Sequence, residues 1–359
     1  MKNGNKHKKS YRYLVILLLV FLSAVLPIVG IYYGGNAKTI CCEDVTNFVM
    51  LQSTGDEFKD FMLKEVRLPP ILGAILIGLT LSGAGLMLQT LFRNLLASPY
   101  TTGISSGVLL IVALVIFINS VSSLLDTFGT DKILIAGWCG GLLSMTMLII
   151  IALRVKESNG VIIVALLLSY LFGGIRSYLI ANAQNIQVQE YWEFMVGTIT
   201  KIHIPDITNM LICTIIFILL SIFLIKPLNA LLFGEKYAKS FGLNVKKTRI
   251  LILLTTSFIV GAIIPYVGLI AFVGIASPYL ARPLIKTSDH RWLMPTTMLL
   301  GVVLMLLCHI ISLKYFVPIY YIYEISRPAS PLPIGSVLDI LGGLLVIYMV
   351  YRGEKKIRI

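Results

Sequence analysis

The sequence predicts an all-α membrane protein with about ten transmembrane helices. Hydrophobic residues make up 57% of the 359 residues and charged residues only 13%, and a soluble domain of this length cannot bury so large an apolar fraction in one core. The apolar residues form runs of about twenty, the length that a helix needs to cross a bilayer. The net charge of +13 comes from Lys and Arg in short segments between these runs, which is typical of membrane proteins rather than nucleic-acid-binding proteins.

The first apolar run, 13–33, follows five basic residues and superficially resembles a signal peptide. It is too long for the apolar region of a signal peptide and lacks a small-residue cleavage site, so we expect it to be retained as the first helix. Nine further spans are predicted along the chain. They lie near 68–91, 99–118, 132–153, 160–181, 206–226, 249–266, 268–285, 292–313 and 334–351.

The distribution of charge predicts how these spans are oriented. With the N-terminus inside, the inner segments carry 21 Lys and Arg against 4 Asp and Glu, and the outer segments carry 8 against 12. Cytoplasmic Lys and Arg resist translocation, so both termini are expected in the cytoplasm. The predicted organisation is a tail at 1–12, one transmembrane domain at 13–351 and a tail at 352–359, in the cytoplasmic membrane.

The second span carries small residues at helical spacing. Gly73, Gly78, Gly83 and Gly85 lie within it, with Ser82 among them. Lipid provides no hydrophobic drive for helix association, and small residues allow two backbones to approach closely. We therefore expect this helix to be packed tightly inside the protein.

Two segments are too short or too irregular for ordinary spans. Residues 188–200 are amphipathic and predict a short outer helix. Residues 261–271 place Pro265 and Gly268 between two spans, and Pro or Gly at membrane depth requires neighbouring helices to satisfy the freed backbone groups. A tight turn with a half-helix and a simple outer turn both remain open.

The longest predicted cytoplasmic loop, 227–248, can present an apolar face. That face would contain Leu231, Leu232, Phe233, Ala238, Phe241 and Leu243, with several lysines kept polar. A short amphipathic helix of this kind suits docking into a groove on a cytosolic partner. It equally suits an interfacial helix lying on lipid headgroups.

Ionisable residues inside spans are candidate functional residues, since burying them in lipid is costly. Arg176 and Asp339 lie in the fifth and tenth spans, and an ion pair between helices or subunits is the alternative interpretation. His309 is alone in its span, and no Cys or His spacing predicts a metal site. The phosphate-binding loop GxxxxGK[ST] is absent from the sequence, so any ATP would be bound by another chain.

An ordered set of motifs resembles the permeases of iron–siderophore, haem and vitamin B12 ABC importers, the FecCD-type family of type II importers. The motifs are Arg67-Leu68-Pro69; Ser82-Gly83 followed by Gln89; Arg93-Asn94 with Ala97 and Pro99; Gly103-Ile104-Ser105-Ser106-Gly107; Gly234-Glu235 with Ala238 and Gly242; Phe272-Val273-Gly274 with Pro278; Leu280-Ala281-Arg282; Asp289-His290-Arg291; Leu332-Pro333-Ile334-Gly335; and Gly342-Gly343. They span residues 66–351 in one order.

The resemblance implies a vitamin B12 importer permease-like fold and a set of partners. Two permease subunits, identical or different, would enclose a pathway, two cytosolic ATPases would dock on the coupling loops, and an extracellular binding protein would deliver the cargo. The permease itself would hold no cofactor and would not be an enzyme, because ATP is hydrolysed on the ATPase subunits.

The resemblance also implies roles for individual residues. Those expected to couple to the ATPase are Gly234, Glu235, Ala238, Phe241 and Gly242. Arg67 matches a position that pairs with Glu on the binding protein, and Lys314 or Arg327 could supply another. The fifth and tenth helices line the pathway in this family, which places Arg176 and Asp339 as pathway candidates.

The expected cargo is an iron chelate, either a siderophore or haem, with vitamin B12 or another metal chelate as the alternative. Departures from the family pattern concentrate in the outer half, including Pro331 and the longer outer segment 315–331. An ion-coupled secondary transporter is a less favoured class, since only Asp339 offers an intramembrane carboxylate and no repeated halves with broken helices are found. An intramembrane enzyme is disfavoured because no catalytic set of side chains lies at matching depth.

Overall fold

The computed structural model describes residues 2–33, 42–51, 53–126, 129, 132–152, 158–314 and 332–353. Within these ranges all regular secondary structure is helical. The helices are α1 Lys2–Tyr33, α2 Cys42–Leu51, α3 Glu57–Phe92, α4 Ile104–Phe117, α5 Asn119–Leu125, α6 Lys132–Ala152, α7 Ser158–Ala181, α8 Asn185–Met195, α9 Ile204–Leu232, α10 Glu235–Ser240, α11 Val245–Val267, α12 Val273–Ile285, α13 His290–Lys314 and α14 Ile334–Gly353. The predicted all-α membrane fold is confirmed.

Each of the ten predicted spans corresponds to one helix, but the helices differ in length. Seven of those in the described ranges are long and apolar enough to cross a membrane by themselves. The third span is short, because α4 has only 14 residues and ends at a bend of 103° where α5 begins. The eighth span, α12, has only 13 residues, and the uninterrupted apolar part of α14 is Ile334–Tyr348.

Helix α3 lies at the centre of the bundle and packs against α9, α11, α12 and α13. Its glycines allow this, as predicted. A Cβ added to Gly85 would lie 2.0 Å from the carbonyl oxygen of Gly274 on α12, and one added to Gly78 would lie 2.6 Å from the carbonyl oxygen of Gly301 on α13. Van der Waals packing therefore brings these backbones into direct contact.

The turn between α11 and α12 is tight and is locked by neighbouring backbone. Gly268 has φ +74°, and a Cβ there would lie 1.8 Å from the carbonyl oxygen of Phe194. The Thr198 amide donates to the Val267 carbonyl at 2.9 Å. The short helix predicted at 188–200 is present as α8, at 185–195, and it supports this turn; the turn is followed by the half-length helix α12.

Candidate functional site

The predicted coupling loop is shorter and more structured than the sequence suggests. Helix α9 continues through Pro227 to Leu232, and α11 begins at Val245. Only residues 233–244 connect them, with the six-residue helix α10 in the middle. Gly234 enters α10 with φ +97° and Gly242 leaves it with φ +79°, conformations that favour glycine.

Helix α10 is held firmly against its own chain. Glu235 forms an ion pair with Arg249 on α11. The side chain of Ala238 is fully buried, and the Ala238 carbonyl accepts a hydrogen bond from the Leu243 amide at 3.1 Å. The expectation that Ala238 belongs to an outward apolar face is therefore wrong, and so is that for Leu231, which is buried as well.

Three aromatic side chains are the large hydrophobic residues exposed on this segment, and together they are here called the coupling surface. Phe233, Tyr237 and Phe241 are 68%, 65% and 72% exposed. Aromatic residues are enriched at the energetic centres of protein interfaces. Sequence patterning missed Tyr237 because its polar hydroxyl removed it from the apolar face.

A hydrogen-bond network centred on the buried His290 lies at the end of α9 that leads into the coupling surface. Asn229, in the last turn of α9, accepts hydrogen bonds from the backbone amide and the Nδ1 atom of His290, both at 2.8 Å. The Nε2 atom of His290 lies 2.9 Å from the Thr90 hydroxyl on α3. Since His290 is fully buried, the network joins α9, α13 and α3 in a water-excluded position.

The carboxylate of Asp289 extends this network. Asn229 Nδ2 donates to the carboxylate of Asp289 at 2.7 Å, and the Arg291 amide donates to the same oxygen at 3.0 Å. Partial burial opposes ionisation of Asp289, but these hydrogen bonds and the charge of Arg291 outweigh it and lower the pKa of Asp289 below 3.8. A separate hydrogen bond links α12 to α3, from Arg282 to Gln89 at 3.1 Å.

The structure places Arg67 inside the fold. It lies at the end of the π-helical turn Met62–Arg67 within α3 and is 5% exposed. Its Nη1 donates to the carbonyl of Ile31 at 2.8 Å, in the last turns of α1. This position differs from the surface placement expected for a docking residue, so contact with a binding protein stays a prediction. Lys314 ends α13, and Arg327 lies outside the described residues.

Arg176 faces a cavity of about 500 Å³ between α7, α4 and the chain around Met195 and Leu269, here called the α7 groove. Its Nη1 contacts the Met195 sulfur at 3.8 Å, and its Nε has no hydrogen-bond partner among the described residues. Burial raises the pKa of Tyr191, and the positive charge of Arg176 beside it opposes that shift.

Asp339 is exposed on α14. An ion pair between Asp339 and Arg176 is not seen in the part of the chain that the structure describes. Groups of three His, Cys, Asp or Glu side chains that could hold a metal ion are not found among the described residues. His309 is buried on α13, beside Gly30 of α1.

Comparison with known proteins gives matches along almost the whole chain. A profile of the FecCD transport family matches residues 15–352. A Methanocaldococcus jannaschii protein assigned by name to the ABC transporter permeases is 67% identical over 345 residues, covering 96% of this chain and 98% of the relative.

Two relatives with named cargoes are more distant. The hemin transport system permease protein HmuU of Yersinia pestis is 26% identical, covering 95% of this chain and 97% of the relative. The Fe(3+) dicitrate transport system permease protein FecC of Escherichia coli is 30% identical, covering 81% and 83%. A solved metal-chelate type ABC transporter in an inward-facing conformation has a similar fold, with TM-score 0.76, 24% identity and coverage of 94% of this chain and 99% of that one.

Proposed function

The chain belongs to the FecCD transport family, a family of multi-pass membrane permeases rather than catalytic enzymes, and from this premise we propose that it is the transmembrane subunit of an ATP-driven ABC importer for an iron chelate. The cargo class, a siderophore or haem, follows the relatives that carry hemin and Fe(3+) dicitrate. Vitamin B12 is the alternative, because a Vibrio cholerae vitamin B12 permease is 27% identical over 292 residues.

The coupling surface is the observation that carries the ATP-driven part of the proposal. Phe233, Tyr237 and Phe241 are exposed on a short segment whose backbone is fixed by the Glu235–Arg249 ion pair and by buried Ala238. A rigid surface with aromatic anchors suits a protein groove, since little conformational entropy is lost on docking. The proposed partners are two cytosolic ATPases, a second permease subunit and an extracellular binding protein.

Both termini and the coupling surface are proposed to face the cytoplasm of a cytoplasmic-membrane protein, because the inner segments hold most of the Lys and Arg. A single cysteine at Lys236 should be labelled only from the cytoplasmic side, and one at Asp56 only from outside. Labelling of the Lys236 position from outside would show that the opposite orientation is correct.

The proposed function is tested by reconstituting the permease with its ATPase in proteoliposomes and measuring uptake of ⁵⁵Fe chelates delivered by the binding protein. We expect uptake with ATP and its loss with an ATPase whose catalytic glutamate is replaced by Gln. Uptake that needs a proton or sodium gradient but no ATP would instead establish a secondary transporter.

A further inference from the structure

A second cavity, of about 390 Å³, lies between α6, α9 and α11 and is here called the α11 groove. Six of the seven residues in its wall are hydrophobic, and none of the seven is charged. The groove opens to the surroundings of the bundle, because three leucines in its wall are exposed: Leu142, Leu251 and Leu254. In a multi-pass membrane protein such a wall meets lipid chains, which are as apolar as leucine.

Two stacked aromatic rings close one end of the groove. Trp138 of α6 and Phe258 of α11 line it, with ring centroids 5.5 Å apart and planes inclined by 20°. The Trp138 Nε1 atom donates to the Phe258 carbonyl at 3.1 Å. The indole N–H is therefore satisfied within the protein and the ring is held in place, so the groove is a recess with a fixed end rather than an open apolar stripe.

The other end of the groove points to the first turn of α11. Leu251, Leu254 and Phe258 line the groove at helical spacing, so they share one face of α11. Lys247 precedes Leu251 by four residues and lies on the same face. From Lys247 to Phe258 the helix rises about 16 Å at 1.5 Å per residue. This rise matches the hydrocarbon thickness of one leaflet, about 15 Å or half of the bilayer core.

Positive charge at the start of α11 has no partner within the described part of the chain. Lys246 and Lys247 are exposed in the first turn, which contains no acidic residue, and neither forms an ion pair among the described residues. Arg249, in contrast, pairs with Glu235. The N-terminal end of a helix is itself positive, so two further cations are unfavourable there and an anion is favourable.

We propose that the α11 groove binds an acyl chain of an anionic phospholipid and that Lys247 binds the phosphate of its headgroup. Basic sites between membrane helices recognise anionic headgroups in this way. The lipid belongs to the leaflet on the side of the coupling surface, which is the cytoplasmic leaflet in the proposed orientation. Because the groove lies between α9 and α11, the helices on either side of the coupling segment, a bound lipid also braces that pair. The site goes beyond the proposed transport function and does not depend on the cargo.

Trp138 provides a direct probe of the closed end of the groove. The chain has three tryptophans, and Trp192→Phe with Trp292→Phe leaves Trp138 as the only indole. This permease is reconstituted in phosphatidylcholine vesicles that contain increasing fractions of phosphatidylglycerol or phosphatidylcholine brominated in the acyl chain, since bromine quenches indole fluorescence on contact. At low ionic strength the relative affinity obtained from quenching should favour phosphatidylglycerol by roughly fivefold, the contribution of one lysine near the membrane surface. Lys247→Gln should abolish this preference.

The matched control is Lys246→Gln, which removes the same charge from the neighbouring residue. Lys246 lies about 100° further round the helix, so this variant should keep the preference, and both variants should keep the wild-type melting temperature. Equal quenching by the two brominated lipids in the protein with Lys247 would overturn the inference. So would equal loss of preference in both lysine variants, which would indicate general membrane electrostatics. Absence of quenching by either lipid would show that a protein surface, such as a second subunit, covers the groove.

A second pair of variants tests the apolar part of the site. Leu220 lines the groove, whereas Leu219 is exposed on the adjacent face of α9, so only Leu220→Trp fills space that the acyl chain needs. Native mass spectrometry of the permease purified from phosphatidylglycerol-containing membranes should show at least about fivefold less retained phosphatidylglycerol in Leu220→Trp than in Leu219→Trp. Equal retention in the two variants would place the lipid outside the α11 groove. None of these measurements uses transport, so their outcome is independent of the proposed function.

Discussion

The side-chain carbonyl of Asn229 accepts two hydrogen bonds from His290, one from its backbone amide and one from its Nδ1 atom, each at 2.8 Å. Asn229 lies five residues before Gly234, where the coupling segment turns into α10. Through His290 the end of α9 is joined to Thr90 on the central helix α3. The end of α9 that leads into the coupling surface is thus connected to the bundle core through the buried side chains of His290 and Thr90.

Replacing Asn229 by Ala should destabilise the folded protein. Two donors of the buried His290 would lose their acceptor, and an unsatisfied buried polar group costs about 1–3 kcal/mol. Thermal unfolding in detergent should show a lower melting temperature for Asn229→Ala. The matched control is Asn182→Ala, because Asn182 is exposed just after α7 and its side chain donates to the Tyr178 carbonyl in the preceding turn. Equal shifts in the two variants would contradict the role of the network.

Asp289 gives this region a defined dependence on pH. Its folded-state pKa lies below the ordinary 3.8, so the ionised form stabilises the fold, fully above pH 3.8 and progressively less as the pH falls through the lower folded value. Asp289→Asn should therefore be less stable than the wild type from pH 5 to 8, and the difference should shrink below about pH 4. Unfolding measured across this range checks it, with the exposed Glu190→Gln as control.

The coupling surface predicts which aromatic side chains matter for ATPase binding. Truncating an interface aromatic to Ala commonly costs more than 1 kcal/mol, so Phe241→Ala and Tyr237→Ala should weaken ATPase association by about tenfold, without a change in melting temperature. Phe223→Ala removes an equally exposed ring from the middle of α9 and should not affect association. The affinity of each of the three variants in nanodiscs for the purified ATPase is the measurement. Wild-type affinity in both coupling variants would indicate that the coupling surface contacts lipid headgroups instead of the ATPase.

Ala238 should behave differently from its aromatic neighbours. Because its side chain is fully buried against the chain itself, Ala238→Trp overpacks the junction of α10 and α11, at a cost of about 1–3 kcal/mol or more. Loss of transport in this variant should therefore accompany a lower melting temperature. If Ala238→Trp keeps a normal melting temperature but loses ATPase binding, Ala238 belongs to the docking surface.

Local sequence patterns located the helices but could not assign the faces of the short ones. Each predicted apolar run coincides with a helix, and seven of these helices within the described ranges are long and apolar enough to cross a bilayer by themselves. In α10 the pattern treated Ala238 and Phe241 alike, although one is buried and the other exposed. Which side of this six-residue helix packs against its own chain depends on contacts with α9 and α11. The hydrophobic periodicity within the helix does not reveal these contacts.

The network around His290 was not predicted for a related reason. Asn229, Thr90 and His290 are separated by up to 200 positions in the chain, and each lies near the end of an apolar run. Only the packing of α3, α9 and α13 brings them together. Polar residues at the ends of several spans were the available signal, but nothing in the sequence pairs one with another.

Arg67 shows how burial changes the expected effect of a substitution. Its guanidinium donates to the Ile31 carbonyl at 2.8 Å, so Arg67→Glu places a carboxylate against a carbonyl oxygen in a buried position. We expect a lower melting temperature and loosened packing of α1, whereas Arg67→Met, which keeps the apolar stem, should be milder. If Arg67→Glu instead keeps its melting temperature, and a Glu→Arg change on the binding protein restores weakened docking, Arg67 belongs to the docking surface.

The contact between Gly85 and Gly274 predicts a large stability effect of a single methyl group. Gly85 lies on α3, and an added Cβ would lie 2.0 Å from the Gly274 carbonyl oxygen and 2.8 Å from the Gly274 Cα atom. Both obstacles are backbone, so no side chain can rotate away, and α3 and α12 would have to separate. Gly85→Ala should cost more than the roughly 1–3 kcal/mol typical of overpacking.

The matched control for Gly85 is Gly343, a glycine of α14 whose added Cβ would meet no atom within 4 Å. Ala has a higher helix propensity than Gly, so Gly343→Ala should leave the melting temperature unchanged or raise it slightly. The pair separates steric contact from backbone entropy, because both changes add one methyl group within a helix. Similar melting temperatures for the two variants would mean that α3 and α12 tolerate separation and that the central packing is looser than the structure describes.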